Sequence, residues 1–356
     1  MSPTRRGRNA AAMFIVLLLV GGAVLGFLIL GARNGVGPLA SGNEGPGGTG
    51  EHPVAASPPP TDCPLTGINR PGTVPNRPDL AVKVENVPAA RPQTGLSWAD
   101  IVYEEPVEAG ITRFIAVYQC QDASRIEPVR SGRLTDPDIL VQFGHPIFGY
   151  AGAVPQVYAK SAAAGLIDVN FTKAAAMRSY HRDPARLAPH NLYTSTHELY
   201  TVAHTGELAP KPVFTYSKDA PAGTRVAQVH LPFSPYSDVY WKWDGSKNRW
   251  MRFHGSVPHT LSDGTQVSAT NVVVQVVRVV QTDITDVNGV HSPEVVSTGS
   301  GKAYVFRNGK VIAGTWHRGS LSEITSFVDS HGDEIPLAQG NTWVELVPQG
   351  IPITYA

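Results

Sequence analysis

The sequence predicts an α+β fold in which a mixed α/β N-terminal domain precedes a β-rich C-terminal domain, a small barrel or sandwich-like sheet. Three observations carry that prediction. Between residues 63 and 210, apolar runs of period two interleave with helical stretches. From residue 211 to 356, the apolar runs have strand length and composition, and Gly- or Asn-containing turns separate them. A chain of 356 residues also exceeds one ordinary core.

The N-terminal end carries the address. Arg5, Arg6 and Arg8 precede an uncharged run from Asn9 to Ala32, long enough to supply the ~20 residues that cross a bilayer core. Residues 10–32 are expected to be a single-pass signal-anchor, since a cleavable signal peptide usually has only ~7–15 apolar residues. The basic flank assigns residues 1–9 to the cytoplasm. Residues 33–62, rich in Gly and Pro, cannot bury a core and read as a disordered linker. The folded part is therefore expected outside the cytoplasm, at the cell membrane. The 29 basic and 29 acidic side chains balance overall, but Arg5, Arg6, Arg8 and Arg33 against Glu44 leave the remainder about −3. That argues against a nucleic-acid partner. In an oxidising compartment a disulfide between Cys63 and Cys120 is expected; the alternative is one loose and one buried thiol.

Along the N-terminal domain, Leu80–Glu85 alternates as a half-buried strand, followed by strands at 100–105 and 111–119 joined by a Glu108–Gly110 turn. Another apolar strand spans 145–150, and a helix runs over 157–164 with Pro155 in its first turn. Ser195-Thr-His-Glu198 is a capping box opening a helix towards His204. In the C-terminal domain, hairpins turn at Gly245–Asn248 and Asn308-Gly309. Residues 271–280 are apolar on both faces, as in a central strand. Strands at 328–335 and 342–347 complete a meander.

Two polar, proline-interrupted stretches stand out as candidate sites. The first, Glu127–Asp138, holds Arg130, Arg133, Asp136 and Asp138; the second, Arg182–Tyr193, holds Arg182, His190, Asn191 and Tyr193. Arg113 falls on the apolar side of its strand, so it either pairs with Glu104 or Glu105 or points into a site. Arginine forks recognise carboxylate and phosphate; Gln156, Asn191 and Tyr193 could add hydrogen bonds, and Trp316 and Arg318 form a C-terminal cluster. Tyr240, Trp241, Trp243 and Trp250 offer sugar-stacking faces, although a hairpin core accounts for at least half of them.

Several motifs in order extend this reading: Pro64-Leu-Thr-Gly67, Ala89-Ala-Arg-Pro-Gln-Thr-Gly-Leu96, Ala99-Asp-Ile-Val-Tyr-Glu104, Gly110-Ile-Thr-Arg-Phe114 and Pro128-Val-Arg-Ser-Gly-Arg133. Pro189-His-Asn-Leu-Tyr193, Asn271-Val-Val-Val-Gln275, Gly299-Ser-Gly-Lys302 and Thr315-Trp-His-Arg318 follow. In combination the sequence resembles the DUF3048 family of YerB-like bacterial envelope lipoproteins. The resemblance implies a two-domain extracytoplasmic protein and no particular reaction. The lipoprotein members carry a lipid-modified Cys near the N-terminus; here an apolar span stands in its place.

The chemistry the residues allow is limited. Gly299–Lys302 lacks the earlier glycine of a phosphate-binding loop. No zinc-type spacing occurs; His181 with Asp183 and His259 with Asp263 read as surface or turn residues, and no metal or cofactor is implied. Ser131 has no nucleophile elbow, which weakens a triad with His190 and Asp136. Glycan cleavage needs two carboxylates facing one cleft, for which Glu104, Glu105, Glu127, Asp136 and Asp138 are candidates. The leading expectation is a membrane-anchored protein that binds a cell-wall polymer or envelope protein through an arginine-rich cleft. Alternatives are a wall glycan or phosphodiester hydrolase using Asp136 and His190, and a scaffold in a membrane complex.

Overall fold

The alternating run Leu80–Glu85 folds as a strand, but all six of its residues are buried rather than every second one. A computed structural model of the chain describes residues 61–356, apart from residues 73, 208, 220, 221, 287 and 288. The expected basic tail (1–9), the expected span (10–32) and the linker up to residue 60 lie outside the described residues. Among the described residues no helix is long and apolar enough to cross a membrane.

The strands in chain order are β1 (Leu80–Glu85), β2 (Ile101–Pro106), β3 (Thr112–Tyr118), β4 (Ile147–Gly149), β5 (Ile167–Asp168), β6 (His181–Arg182), β7 (Leu192–Tyr193), β8 (Thr224–Arg225), β9 (Gln228–Ser234) and β10 (Ser237–Asp244). They continue as β11 (Arg249–His254), β12 (Val257–Pro258), β13 (Ser268–Ala269), β14 (Asn271–Thr285), β15 (His291–Val296), β16 (Gly299–Arg307), β17 (Lys310–Arg318), β18 (Ser326–Val328), β19 (Thr342–Pro348) and β20 (Thr354–Tyr355). Among the described residues three short α-helices, α1 (Thr135–Leu140), α2 (Pro155–Ala163) and α3 (Thr196–Ala203), all precede residue 204. The molecule is β-rich.

A twelve-stranded sheet has the order β18-β17-β16-β14-β19-β2-β3-β1-β4-β5, with β15 beside β14 and β8 beside β17. A second sheet has the order β12-β11-β10-β9-β20, with β13 beside β11, and β6 and β7 form a small ribbon. The strand at 342–348 does not close a C-terminal meander. It runs parallel to both β14 and β2, with Thr342 opposite Asn271 on one side and Ile101 on the other. A strand buried on both faces has no alternation to name its neighbours, and parallel pairing needs no local turn to announce it. Strands from both sides of residue 210 thus share one sheet, and all described residues belong to one compact unit.

Each face of the large sheet is a core. On one, Val82, Val84, Phe114 and Trp343 meet Leu231, Trp241 and Trp250 of the second sheet. On the other, Ala81, Tyr103, Ile115 and Val344 pack with Leu140, Phe143 and Phe148 and with Trp316 and Phe327 from the far strands. Local signals behave as their chemistry requires. Ser195 Oγ accepts from the Glu198 amide at 3.2 Å and donates to its carboxylate at 2.8 Å, opening α3. Asn308 and Gly309 have φ of 52° and 68°, the left-handed pair of a tight hairpin between β16 and β17. Gly301 lies in β16 where a Cβ would come within 2.6 Å of the Trp316 indole nitrogen. Its bare backbone lets that indole donate to the Val276 carbonyl at 2.9 Å. Cys63 and Cys120 are joined in a disulfide with a Cα–Cα distance of 5.9 Å, fastening the N-terminal arm beside the end of β3.

Candidate functional site

The Glu127–Asp138 stretch is laid along β1, where the Arg130 amide donates to the Lys83 carbonyl and the Glu85 amide donates to the Pro128 carbonyl. Its charged side chains turn inwards. Arg130 Nε donates to Glu85 Oε1 at 2.9 Å, and Arg133 grips Glu108 Oε2 through Nε and Nη2 at 2.9 and 2.7 Å. Asp136 is wholly buried; its two oxygens accept from Lys83 Nζ at 2.6 Å and from the Arg133 amide at 2.6 Å. Lys83 also donates to Glu105, whose carboxyl is pushed upward in pKa by burial. Both Lys83 and Glu105 have fully buried side chains.

Arg113 pairs with neither Glu104 nor Glu105. Glu105 is taken by Lys83, and Glu104 belongs to the opposite face of β2, where it accepts from Arg252 Nη2 at 2.5 Å. Arg113 instead donates to the Ser131 carbonyl at 3.2 Å. Burial, with Arg133 and Arg130 close by, lowers its pKa to about 9. Ser131 Oγ donates to the Ala151 carbonyl at 3.3 Å and, among the described residues, makes no hydrogen bond to a basic side chain. The five carboxylates weighed for glycan cleavage are each engaged by a cation: Glu104 by Arg252, Glu105 and Asp136 by Lys83, Asp138 by Lys160, and Glu127 by Arg125.

The second stretch folds onto itself and opens outward. Arg182 Nη1 donates to Asn191 Oδ1 at 2.7 Å, while Asn191 Nδ2 donates to the carbonyls of Asp183 and Arg186. Tyr193 lies beneath the Arg125 guanidinium, 3.9 Å from ring to charge centre. Gln156 is exposed on the first turn of α2, and Trp316 is a core residue. Arg318 is buried and donates to the carbonyls of Glu323 and Leu321. His181 meets Glu198 at 2.5 Å, and His259 donates to or accepts from Gln93 and Arg252 inside the fold. Among the described residues no three His, Cys, Asp or Glu gather as a metal-holding group.

One carboxylate unites the two stretches. Glu85 accepts from Arg130 on Oε1 and faces His190 Nδ1 on Oε2 at 2.8 Å. His190 in turn borders a cavity of about 580 Å³ walled by Ala89, Arg91, Pro92 and Thr94, by Arg125, Glu127, Asp183 and Arg186, and by Ser262. Arg186 is held by the carbonyls of Ala90 and Pro92 at 2.6 and 3.0 Å, and Arg125 bridges Glu127 and Asp183. Arg91 Nη2 donates to the Asn86 carbonyl at 2.8 Å, and burial lowers its pKa to about 10. Three arginines face two carboxylates, so the cavity has an excess positive charge that favours an anion. Glu127 Oε1 is buried without a hydrogen-bond partner among the described residues.

Of the sequence candidates, His190 lines this cavity together with Glu127, weighed for glycan cleavage, and Asp183, weighed with His181. Arg91, Arg125 and Arg186 were not singled out. Arg91 sits in the Ala89–Leu96 motif and Arg186 in the second polar stretch, but Arg125 had no sequence signal.

Two family models cover this frame: the N-terminal domain of the protein of unknown function DUF3048 matches residues 65–209, and its C-terminal domain matches residues 229–344. The chain belongs to the DUF3048 family. Its relative in Bacillus subtilis, named "Putative lipoprotein YerB", is 29% identical over 298 residues, 80% of this chain and 86% of that protein. The crystal structure of YerB protein from Bacillus subtilis superposes with a TM-score of 0.71 at 26% identity, covering 82% of this chain and 99% of that one. The DUF3048 frame thus spans both sheets, including β2 and the first three residues of β19, which pair at the centre.

Proposed function

We propose that this chain is a membrane-tethered, extracytoplasmic binding protein that holds an anionic component of the cell envelope in the Arg91–Arg125–Arg186 cavity. The observation that carries this reading is the cavity's charge: three arginines, two of them braced by backbone carbonyls, against two carboxylates. Braced guanidinium groups lose little freedom on meeting a carboxylate or phosphate. Wall polymers and peptide stems carry such groups. The tether is residues 10–32 with the linker after it; the name of the YerB relative as a lipoprotein supports an envelope address, and the Cys63–Cys120 disulfide suits an oxidising compartment.

The test is retention of the full-length chain on purified cell wall before and after its anionic polymers are stripped. Wild type should be retained and released by stripping. Arg125→Gln, which removes the excess charge, and Ala89→Trp, which fills the cavity and leaves the charge, should each weaken retention roughly tenfold. Equal retention of wild type and both variants would end the reading.

A second reading, hydrolysis at the same cavity, rests on His190. Its Nδ1 is fixed by Glu85, as the base of a hydrolytic site is fixed by a carboxylate. Its mark would be wall fragments released by wild type and absent with His190→Gln, read by mass analysis.

A further inference from the structure

Of the six tryptophans, four are buried and Trp243 packs partly against the core, whereas Trp98 is 49% exposed. It ends the short turn Leu96–Trp98 and forms one side of a second cavity, of about 300 Å³. The facing groups are Gln121, Arg249, Asp263, Thr265 and Gln266. They are fixed in place. Arg249 is held by Ser268, Thr270 and Asn341, and Gln266 Nε2 donates to the Arg252 carbonyl at 2.8 Å. Asp263 Oδ1 accepts from both the amide and the hydroxyl of Thr265, leaving Oδ2 without a hydrogen-bond partner among the described residues.

A half-exposed indole lining the same cavity as hydrogen-bonded amide, carboxylate and hydroxyl groups matches the two chemistries of a sugar ring. The C–H face of the ring stacks on the indole, and its hydroxyls exchange hydrogen bonds with the polar side. This cavity and the arginine cavity are lined by neighbouring stretches of the same two segments. Thr94 Oγ1 and Ser262 Oγ lie 2.8 Å apart, and the Ser262 amide donates to the Gln93 carbonyl. Thr94 and Ser262 border the arginines, and just beyond them in the chain Leu96–Trp98 and Asp263 line the second cavity.

We infer that Trp98 is the platform of a saccharide subsite adjoining the arginine cavity, and that the ligand is an anionic glycan with a sugar on Trp98 and its carboxylate or phosphate among the arginines. The anionic half of this assignment rests on the proposed function; the sugar half does not.

Calorimetric titration of the full-length chain, in a detergent without a sugar head group, separates the two. The probes are neutral N-acetylglucosamine oligomers, polyglycerol phosphate, and glycan strands of alternating N-acetylglucosamine and N-acetylmuramic acid. Wild type should bind the neutral oligomers. Trp98→Ala should weaken that binding roughly tenfold, Trp98→Phe should restore part of it, and Arg125→Gln should leave it unchanged. The alternating strands should lose affinity with Trp98→Ala and with Arg125→Gln. Because Trp98 is half exposed, thermal melting of Trp98→Ala should match wild type. No binding of neutral oligomers by wild type, or equal binding by Trp98→Ala, overturns the saccharide subsite. If polyglycerol phosphate binding is then still lost with Arg125→Gln, the arginine cavity stands alone.

Discussion

Glu104 on β2 and Arg252 on β11 form an ion pair between the two sheets, with both side chains fully buried and Oε2 to Nη2 at 2.5 Å. Rings of Phe114, Trp343 and Trp241 surround the guanidinium at 5.3, 5.4 and 6.0 Å. Its Nη1 donates to His259 Nδ1 at 2.8 Å, so the other ring nitrogen is the one that donates to Gln93 Oε1. His259 remains neutral because burial and Arg252 hold its pKa far down. Arg252→Met strands the Glu104 charge beside Glu345 and should cost about 3–5 kcal/mol in urea unfolding. The double variant Arg252→Met/Glu104→Gln should recover most of that loss; a double variant worse than the sum of the singles would count against the pairing.

Lys83 and Arg113 are both buried cations, yet removing them should have opposite outcomes. Lys83 neutralises two carboxylates, Glu105 and Asp136. Lys83→Met should therefore cost about 3–5 kcal/mol near neutral pH. Acid lessens the damage: Glu105 has a raised pKa, so it protonates more readily than an exposed glutamate. The gap between wild type and variant should widen from pH 5 to pH 8. Arg113 donates a single side-chain hydrogen bond and leaves Nε without a partner. Arg113→Met should be close to neutral or stabilising.

Asp100 is a buried carboxylate whose pKa burial raises to about 6, against the pull of amide donors Gln119 and Cys120. A raised folded-state pKa means the native state holds a proton that the unfolded chain has already lost. Stability from this group is therefore fullest below its unfolded pKa and declines as pH rises towards and through 6, by roughly 2–3 kcal/mol. Asp100→Asn removes the decline. Urea titrations of both proteins from pH 4 to pH 7 should show the variant gaining on wild type throughout, whatever its offset at pH 4.

The Cys63–Cys120 bridge spans 57 residues. Loop-closure entropy for that length gives about 4 kcal/mol of stabilisation, and a Cys63→Ser/Cys120→Ser chain should be weaker by about that amount in denaturant titration. Addition of reductant should lower wild type to the same midpoint and leave the double variant unmoved.

Sequence pattern located most strands because period and turn chemistry are local. Leu80–Glu85 and the Asn308-Gly309 hairpin are where alternation and turn residues put them. Partners were less legible. Lys83 and Glu85 alternate with Val82 and Val84 as though facing water, yet the Glu127–Asp138 stretch covers them and supplies their counter-charges. Arg130 and Arg133 looked like open anion forks for the same reason. Their acids, Glu85 and Glu108, lie 45 and 25 residues away in the chain, and nothing local ties them together. Trp241 and Trp250 are core on both counts, as a hairpin core requires, whereas Trp98 had no periodic partner and passed unnoticed. The cavity residues Arg91, Arg125 and Arg186 come from three separate loops, and only folding brings them to one wall.

The placement of Thr342–Pro348 between β14 and β2 governs how the chain can be made. As it emerges amino end first, residues 80–118 can zip into a β1-β3-β2 sheet, but one rim of that sheet has no neighbour until residue 348 has appeared. For more than two hundred residues of synthesis that rim is an open template for other chains. Assembly must then await the late strand, a long-range closure that is slow by its topology. A nascent chain halted before residue 342 should cling to chaperones or to its own kind, and the finished one should let go within a single concerted step.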